Sequence, residues 1–295
     1  MSPGRKVRDH LEKGGIAMSV SAHDALTAKL VEKAGFEMIS ISGNAVAASH
    51  LGMPDMGFIT LPEIVDVSRR IAAAVDIPVM VDADTGYGNA VQVIRTVQEF
   101  ERAGVAGIII EDQIDYKKCR MIDGGGHPVV SADDHAAKVE AACAARTDPD
   151  FLIIARTDAA ADHGLEEGIR RSHLYIEAGA DMLDLEVFGT PEEVSEIKAA
   201  GLTKPLKANM DEGKGLWKIA LEELADAGYA IASYPGVVRY TVVKAVADAL
   251  AELKRAGNAQ NLIPTMCSVE EYFEAVDLEH YMALEEEHLK PFRGS

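Results

Sequence analysis

Short apolar runs alternate along the chain with longer stretches in which apolar residues recur every three or four positions. The first pattern is typical of buried strands and the second of amphipathic helices, so their alternation predicts repeated parallel β/α units. Eight strands are predicted, at residues 15–20, 37–42, 77–82, 106–111, 151–156, 181–186, 204–209 and 229–234. The predicted helices lie at residues 23–33, 61–74, 90–102, 132–145, 164–177, 191–199, 216–226 and 238–255.

An Ala-Gly pair precedes four of these strands, at residues 34–35, 103–104, 178–179 and 227–228. Glycine readily takes the left-handed conformation that ends many helices, so each pair indicates a helix end that leads into a strand. A doubly wound open sheet shares this alternation, but no Gly-x-Gly-x-x-Gly sequence follows the first strand. Eight near-evenly spaced units favour a closed (β/α)8 barrel of the TIM type.

The predicted organisation is one barrel domain over residues 1–295, with an N-terminal helix in residues 1–14 and a C-terminal helical extension over residues 257–295. The extension contains two amphipathic segments and no ninth strand. Its helices are therefore expected to pack on a neighbouring subunit or across the barrel.

Composition narrows the possible partners. With 48% hydrophobic and 26% charged residues the chain is typical of soluble globular proteins. Its 29 Lys and Arg against 48 Asp and Glu argue against a nucleic-acid partner. No apolar run is long enough to cross a membrane and no apolar signal core starts the chain, so a cytoplasmic location is expected. Three scattered cysteines predict neither a disulfide framework nor a zinc site.

Carboxylates close the third and fourth predicted strands. Asp82 ends the third strand, Asp84 lies two residues on, and Glu111 ends the fourth, so a barrel brings them together. Carboxylates this close repel one another unless a cation compensates them, and Mg²⁺ prefers such oxygen ligands. Asp84 to Asn89 could instead form a helix N-cap, but that alternative leaves Glu111 unexplained.

Polar residues also follow the later strands, where a buried parallel strand should be apolar. These residues are Arg156, Asp158, Glu186, Lys207, Asn209 and Tyr234. Their position indicates a ligand site, in which Arg156 suits a two-pronged contact with a substrate carboxylate. An internal network of arginine and carboxylates is the alternative interpretation.

Two connections are unusually long, at residues 43–60 and 112–131, and in a barrel both would lie at the face where active sites form. The second contains Lys117-Lys118-Cys119-Arg120, in which neighbouring cations favour ionisation of the thiol. Gly124 to Gly126 suit a lid, and His127 is the histidine of interest there. An exposed basic loop with an incidental cysteine is the alternative.

Together these motifs resemble the isocitrate lyase and phosphoenolpyruvate mutase superfamily, in particular its short methylisocitrate lyase-like and carboxyphosphonoenolpyruvate mutase-like members. The resemblance covers nearly the whole chain. The segments that carry it are Ala22 to Leu26, Ala34 to Phe36, Ser42-Gly43, Leu51 to Asp55, Asp82 to Asn89, Glu111 to Gln113, Lys117 to Cys119, Ala155 to Ala159, Ala208 to Met210 and Tyr234-Pro235.

The resemblance implies a (β/α)8 barrel with bound Mg²⁺, or Mn²⁺ in its place, in a homotetramer built as a dimer of helix-swapped dimers. It also implies roles for individual residues. The implied metal ligands are Asp82, Asp84 and Glu111, with Asp55 nearby. For the substrate, the resemblance implies that the 2-oxo-acid carboxylate is held by Ser42, Gly43 and Asn44, the scissile oxygen by Arg156, and the far half by Glu186, Asn209 and Arg239. The implied catalytic group consists of Cys119, which protonates the leaving enolate, with Arg156, Lys117 and Glu186.

The implied activity is Mg²⁺-dependent cleavage of a 2-hydroxy di- or tricarboxylate, such as methylisocitrate or dimethylmalate, to a 2-oxo acid such as pyruvate and a carboxylate. Phosphonomutase or phosphonopyruvate hydrolase chemistry, oxaloacetate decarboxylation or hydrolysis, and a catalytically silent binding protein are the alternatives. Arg120-Met121 replace the Gly-His expected after Cys119, which favours a smaller dicarboxylate. Ser40 stands where relatives often carry an aromatic hydroxyl, so the general base stays open.

Overall fold

The structure is a computed structural model that describes residues 1–114, 117–119, 122, 128–213 and 215–289. The predicted lid residues Gly124 to Gly126 and His127, with Arg120-Met121, lie outside the described residues. The chain forms two compact units, Met1–Arg239 and Tyr240–Ser295. The boundaries of a single domain over residues 1–295 stay a prediction.

The first unit contains a closed barrel of eight parallel strands in the order β1 to β8. The strands are β1 (Ala17–Ser21), β2 (Met38–Ile41), β3 (Val79–Asp82), β4 (Gly107–Glu111), β5 (Leu152–Thr157), β6 (Met182–Leu185), β7 (Leu206–Asn209) and β8 (Tyr229–Tyr234). Each strand coincides with a predicted one to within two residues. The predicted (β/α)8 architecture is confirmed.

Helices alternate with these strands and continue beyond the last one. They are α1 (Pro3–Lys13), α2 (Ala25–Lys33), α3 (Gly43–Val46), α4 (Leu61–Ala72), α5 (Ala90–Ala103), α6 (Ala132–Ala145), α7 (Ala160–His163), α8 (Leu165–Glu177), α9 (Pro191–Ala199), α10 (Leu221–Asp226), α11 (Val237–Ala256), α12 (Val269–Ala275) and α13 (Leu278–Leu289). A π-helix (Ala47–Leu51) and two 3-10 helices (Gly215–Lys218 and Ile263–Thr265) complete the set. Over the described residues, no helix combines the length and apolarity needed to cross a membrane.

The glycines of the four Ala-Gly pairs have the left-handed backbone that the sequence predicts. Their φ angles are 85° at Gly35, 81° at Gly104, 101° at Gly179 and 94° at Gly228. An L side chain is strained in this conformation, so glycine is the residue that lets each helix end directly before its strand.

The interior of the barrel is apolar at its amino end and polar at its carboxyl end. Strands point successive side chains to opposite faces, so residues two apart share a face. On β4 and β5, Ile109 and Ile154 belong to the inner apolar cluster, and Glu111 and Arg156 come two residues later on the same face. Val7 of α1 joins that inner cluster at its base. The fold therefore places polar chemistry at the carboxyl ends of the strands.

A fully buried histidine makes stability sensitive to acid. His135 of α6 packs edge-on against Tyr175 of α8 with ring centroids 4.6 Å apart. Burial, helped by Lys138 and Arg171, lowers the pKa of His135 to about 3. The unfolded chain would take up this proton near pH 6.5, so the contribution of the neutral His135 to stability is fully present above pH 6.5 and is lost as the pH falls toward 3, by about 5 kcal/mol in all.

We expect His135→Leu to flatten this dependence, because the unfolded state then gains no imidazole proton that the folded state refuses. Urea unfolding of wild type and variant between pH 4 and pH 8 measures the two slopes. His163→Gln, at an exposed histidine, is the control and should keep the wild-type slope. Identical slopes for His135→Leu and wild type would contradict the assignment.

Candidate active site

A cavity of about 80 Å³ lies at the carboxyl ends of the barrel strands. Every residue that the resemblance assigns to the metal, the substrate or the catalytic group lines it, except Gly43 and Asp84, whereas Asp158 and Tyr234 of the strand-end pattern are not part of its wall. The predicted residues in its wall are Ser42, Asn44, Asp55, Asp82, Glu111, Lys117, Cys119, Arg156, Glu186, Asn209 and Arg239. Gly43 and Asp84 lie directly against each other, because a Cβ added to Gly43 would be 2.9 Å from Asp84 Oδ1. The structure thus brings the residues that the resemblance assigns to the metal, the substrate and the catalytic group to one place.

The turn after β3 directs Asp84 toward this cluster. The Asp84 amide donates to Asp82 Oδ1 at 3.1 Å, and the Gly86 amide donates to the Ala83 carbonyl at 2.9 Å. Asp84 and Tyr87 have φ angles of 49° and 58°, in the left-handed region that costs a non-glycine residue roughly 1–2 kcal/mol. Strain of this kind is commonly stored at functional sites.

The alternative interpretation of Asp84 to Asn89 as a helix N-cap holds for Asn89 but not for Asp84. Asn89 is the N-cap of α5, and its side chain accepts from the Val91 amide at 2.9 Å. Asp84 therefore serves no helix end and is available to the acid cluster.

The ammonium of Lys117 lies among the acids. Its Nζ is 2.6 Å from Asp84 Oδ1, 3.1 Å from Asp55 Oδ1 and 3.9 Å from Glu111 Oε1, and all four residues are buried. Burial, with Asp82 and Asp55 nearby, raises the pKa of Asp84 to about 6 in spite of Lys117. Burial alone would lower the pKa of Lys117, but the surrounding carboxylates outweigh it and raise that pKa well above its ordinary value. Lys117 therefore supplies positive charge that compensates the acids.

Glu111 is buried with one oxygen unsatisfied. Desolvation raises the pKa of its carboxyl well above the ordinary value, against the opposing effect of Lys117 and Arg156. Within the described residues, Glu111 Oε1 has no hydrogen-bond partner. A buried carboxylate oxygen of this kind could serve as a ligand to a cation.

Among the described residues, no three His, Cys, Asp or Glu side chains are already grouped closely enough to hold a metal ion. The donor set of Asp82, Asp84 and Glu111 is nevertheless made of carboxylate oxygens, and Glu111 Oε1 lacks a partner. Oxygen donors suit a hard divalent cation such as Mg²⁺. The residues present therefore fit the metal that the sequence resemblance implies.

Arg156 extends from β5 into the cavity, and its guanidinium is hydrogen-bonded to Asp158. Its Nε and Nη2 donate to the two oxygens of Asp158 at 3.0 and 2.9 Å. Its guanidinium also lies 3.6 Å from both Glu111 and Glu186. Burial opposes the charge, but Asp158, Glu111 and Asp184 raise the pKa of Arg156 well above its ordinary value. The predicted arginine–carboxylate network exists, and its arginine still lines the cavity.

A second polar group extends across β6 and β7. Lys207 Nζ donates to Asp184 Oδ2 and to Asn209 Oδ1, both at 2.7 Å. The side-chain Nδ2 of Asn209 donates to Glu186 Oε1. Asp184 and Lys207 both line the cavity; the strand-end pattern indicated Lys207, but sequence reasoning did not identify Asp184. The alternation along β6 could have revealed Asp184, because it lies two residues after Met182 of the inner apolar cluster.

Cys119 is held at the cavity by the other long loop. Asn44 Nδ2 donates to Cys119 Sγ at 3.2 Å, and the Cys119 amide donates to the Asp55 carbonyl at 3.0 Å. Ser40 also lines the cavity, and its Oγ is 3.1 Å from that of Ser233 on β8. Both long loops therefore contribute to one site, with a thiol near the acids and Arg156.

Comparison with known proteins identifies relatives over nearly the whole chain. The family model described as phosphoenolpyruvate phosphomutase matches residues 8–254. A 2,3-dimethylmalate lyase from Eubacterium barkeri is 39% identical over 288 residues, covering 97% of this chain and 98% of that protein. A 2-methylisocitrate lyase from Aeropyrum pernix is 38% identical over 279 residues, covering 95% of this chain and 89% of that protein.

Solved structures show the same fold with other chemistries. A phosphonopyruvate hydrolase in complex with oxalate and Mg²⁺ has a TM-score of 0.89 and 32% identity, covering 98% of this chain and 100% of that one. An oxaloacetate acetylhydrolase in complex with 3,3-difluorooxalacetate has a TM-score of 0.89 and 31% identity, covering 97% and 96%. The relatives thus include two lyases and two hydrolases, each named for a different substrate.

Proposed function

This chain is an enzyme of the phosphoenolpyruvate phosphomutase family, within the isocitrate lyase/PEP mutase superfamily, and from that premise we propose a Mg²⁺-dependent carbon–carbon lyase. Its substrate would be a 2-hydroxy di- or tricarboxylate, with a dimethylmalate-like dicarboxylate favoured. The observation that carries the proposal is that Cys119 lines the same cavity as Arg156 and the acid cluster. One small ligand in this cavity could therefore contact the thiol of Cys119, the guanidinium of Arg156 and the carboxylates proposed to bind the metal.

The acids would hold the metal. Asp82, Asp84 and Glu111 would bind Mg²⁺ directly or through water, with Mn²⁺ as a substitute, and Asp55 would stand nearby. When bound, the metal supplies Lewis acidity for the oxygens of the 2-oxo acid. Lys117 would keep the remaining negative charge compensated, since its ammonium contacts Asp55 and Asp84.

The protein side chains would divide the work on the substrate. Ser42, Gly43 and Asn44 would bind the carboxylate of the 2-oxo-acid half, and Arg156 would bind the scissile oxygen. Glu186, Asn209 and Arg239, which share the cavity wall, would face the other half. Arg156 is well suited because Asp158 fixes its guanidinium through two hydrogen bonds.

The bond changes balance with these groups. The substrate hydroxyl loses its proton to a cavity carboxylate, and its oxygen becomes the carbonyl oxygen of the 2-oxo acid as the C2–C3 bond breaks. The electron pair of that bond passes to C3 as a carboxylate-stabilised enolate. Cys119 gives its proton to C3, which releases the second carboxylate product.

A substrate panel tests this activity. Mg²⁺-loaded enzyme is incubated separately with 2,3-dimethylmalate, methylisocitrate, phosphonopyruvate and oxaloacetate, and 2-oxo acid, inorganic phosphate, acetate and carbon dioxide are measured. We expect pyruvate from 2,3-dimethylmalate, and its loss after chelation with EDTA. Release of phosphate from phosphonopyruvate without cleavage of either hydroxy acid would replace the lyase by phosphorus–carbon chemistry.

We further propose that the enzyme is a homotetramer, a dimer of helix-swapped dimers. The helices α11, α12 and α13 contain no buried residue, and α11 exposes Val243 and Leu250 by 68% and 60%. Exposed apolar faces of this kind on consecutive helices are typical of interfaces between copies of a chain.

The cysteines form no disulfide, which suits the reducing cytoplasm expected from the sequence.

The oligomeric state can be measured by light scattering after size exclusion. We expect four copies for the wild type and a smaller assembly for Val243→Glu/Leu250→Glu, because two charges would then be buried at the interface. Lys254→Glu, at an exposed position of the same helix, is the control and should keep the wild-type mass. A monomeric wild type would contradict the proposal.

A further inference from the structure

A buried carboxylate lies directly behind the active site and takes no part in the chemistry proposed above. Asp112 directly follows Glu111, the last residue of β4. Its side chain points to the face opposite that of Glu111, away from the cavity and toward the helices. It is fully buried. Desolvation, with Asp158 nearby, raises the pKa of its carboxyl. A buried acid is costly unless it is paired, so its partners indicate what it is for.

Donors from two parts of the fold converge on this carboxylate. Its Oδ2 accepts from Thr157 Oγ1 at 2.7 Å, from Arg171 Nη1 at 2.9 Å and from Tyr175 OH at 2.9 Å. Its Oδ1 accepts from the backbone amide of Asp158 at 2.9 Å. Thr157 and Asp158 follow Arg156 on β5, while Arg171 and Tyr175 belong to α8. The carboxylate therefore links α8 to the residues that follow the substrate-binding arginine.

One side of this link reaches Arg156. Asp112 holds the Asp158 backbone, and the Asp158 carboxylate in turn accepts two hydrogen bonds from Arg156. The path from Asp112 to the guanidinium thus passes through a single residue. A shift of the Asp158 backbone would move both of the oxygens that orient Arg156.

The other side reaches the stem of the loop that carries Lys117 and Cys119. The Val130 amide donates to the Asp112 carbonyl at 2.8 Å, and Arg171 Nη1 donates to the Val130 carbonyl at 2.9 Å. Gln113 and Val129 form an antiparallel bridge beside them. Arg171 also donates to Glu167 at 2.8 Å, which holds its guanidinium on α8. The same arginine therefore contacts the carboxylate and the end of the loop.

We propose that Asp112, Arg171 and Tyr175 are positioning residues that hold Arg156, through Asp158, and the loop stem at Val130 in one fixed relation. This inference rests on the proposed function, because it gives Arg156 and Cys119 their roles in cleavage. A purely structural role would attach α8 to the barrel and affect stability alone. The arrangement predicts an additional loss of catalytic efficiency in folded enzyme.

Two conservative variants test the proposal. Tyr175→Phe removes one donor to Asp112 without changing the ring, and we expect kcat/KM for 2-oxo-acid release to fall about tenfold in enzyme that remains folded. Arg171→Lys keeps the charge but loses the simultaneous contacts with Asp112, Val130 and Glu167, and we expect about a hundredfold loss. Both losses should appear with unchanged molar ellipticity at the assay temperature.

A second readout does not depend on turnover. The Asp158 amide is hydrogen-bonded to Asp112, so its deuterium exchange, measured on peptides covering residues 153–160, should accelerate in both variants. Tyr229→Phe is the matched control, because Tyr229 is equally buried and its hydroxyl has no hydrogen-bond partner among the described residues. It should leave kcat/KM and the exchange of this segment unchanged.

The outcomes distinguish a failure of the proposed function from a failure of the positioning role. A wild type that cleaves nothing in the panel overturns the proposed function, and the exchange of Asp158 then decides about the network by itself. An active wild type with Tyr175→Phe and Arg171→Lys within twofold of its kcat/KM, and with unchanged exchange at Asp158, overturns the positioning role. Reduced thermal stability without loss of kcat/KM also overturns it, since that is the result of a structural role.

Discussion

Replacing Lys117 with methionine is expected to lower the free energy of unfolding of the metal-free enzyme by about 3–5 kcal/mol. The Lys117 ammonium lies within 4 Å of Asp55, Asp84 and Glu111, all of which are buried. Methionine fills similar volume without charge, so these carboxylates would repel one another in a medium that screens poorly. Urea unfolding followed by circular dichroism, in the presence of EDTA, measures the difference.

The same substitution at an exposed lysine provides the control. Lys198 pairs with Asp226, and both side chains are more than half exposed, so Lys198→Met should change stability by at most about 1 kcal/mol. Added Mg²⁺ should stabilise Lys117→Met more than wild type, because the carboxylates of the variant have lost their ammonium. Equal stability of Lys117→Met and wild type in EDTA would show that this lysine does not compensate the acids.

Replacing Cys119 with alanine is expected to lower kcat for 2-oxo-acid release by about 10²–10⁴-fold while the affinity for oxalate changes little. The reason is that the thiol would act on the leaving enolate, whereas the 2-oxo-acid half would be bound by Arg156 and the metal site. In Cys119→Ser the serine hydroxyl oxygen should accept the hydrogen bond that Asn44 donates to the sulfur of the wild type, but a serine hydroxyl is a far weaker acid than a thiol. Steady-state kinetics and calorimetric titration with oxalate separate the two effects.

Cys267 offers a matched control because it is exposed and lies outside the barrel unit. Cys267→Ala should retain wild-type kcat. If Cys119→Ala kept wild-type kcat in an active enzyme, the enolate would have another proton source and the thiol would lose its proposed role. If Cys119→Ala lost oxalate affinity instead, the thiol would contribute to binding rather than to proton transfer.

Much of the site could be predicted from sequence because the strand alternation is local. Met80 and Asp82, Ile109 and Glu111, and Ile154 and Arg156 each lie two residues apart, so both members of each pair face the barrel interior. Once eight strands close into a barrel, polar residues at their carboxyl ends must meet. The acid cluster and Arg156 follow from that topology alone.

The compensation of charge could not be predicted in the same way. Lys117, Lys118 and Arg120 are adjacent in sequence, and nothing local distinguishes the one that reaches Asp84. The loop path decides it, through contacts such as the Cys119 amide with the Asp55 carbonyl. The pairing of Lys207 with Asp184 could not be predicted for a related reason, because the sequence does not show which charged residues of β6 and β7 contact each other.

By itself the sequence determined the barrel, the ends of its helices and which strand ends carry polar residues, since these depend on two-residue alternation and on glycines at left-handed positions. Only the tertiary structure decided which charged groups pair with one another. The carboxylates Glu111 and Asp112 are neighbours in sequence, yet one faces Lys117 and Arg156 in the cavity and the other faces Arg171 and Tyr175 behind it. Those partners come from distant parts of the chain, and burial makes each pairing necessary because an unpaired charge inside the protein is too costly.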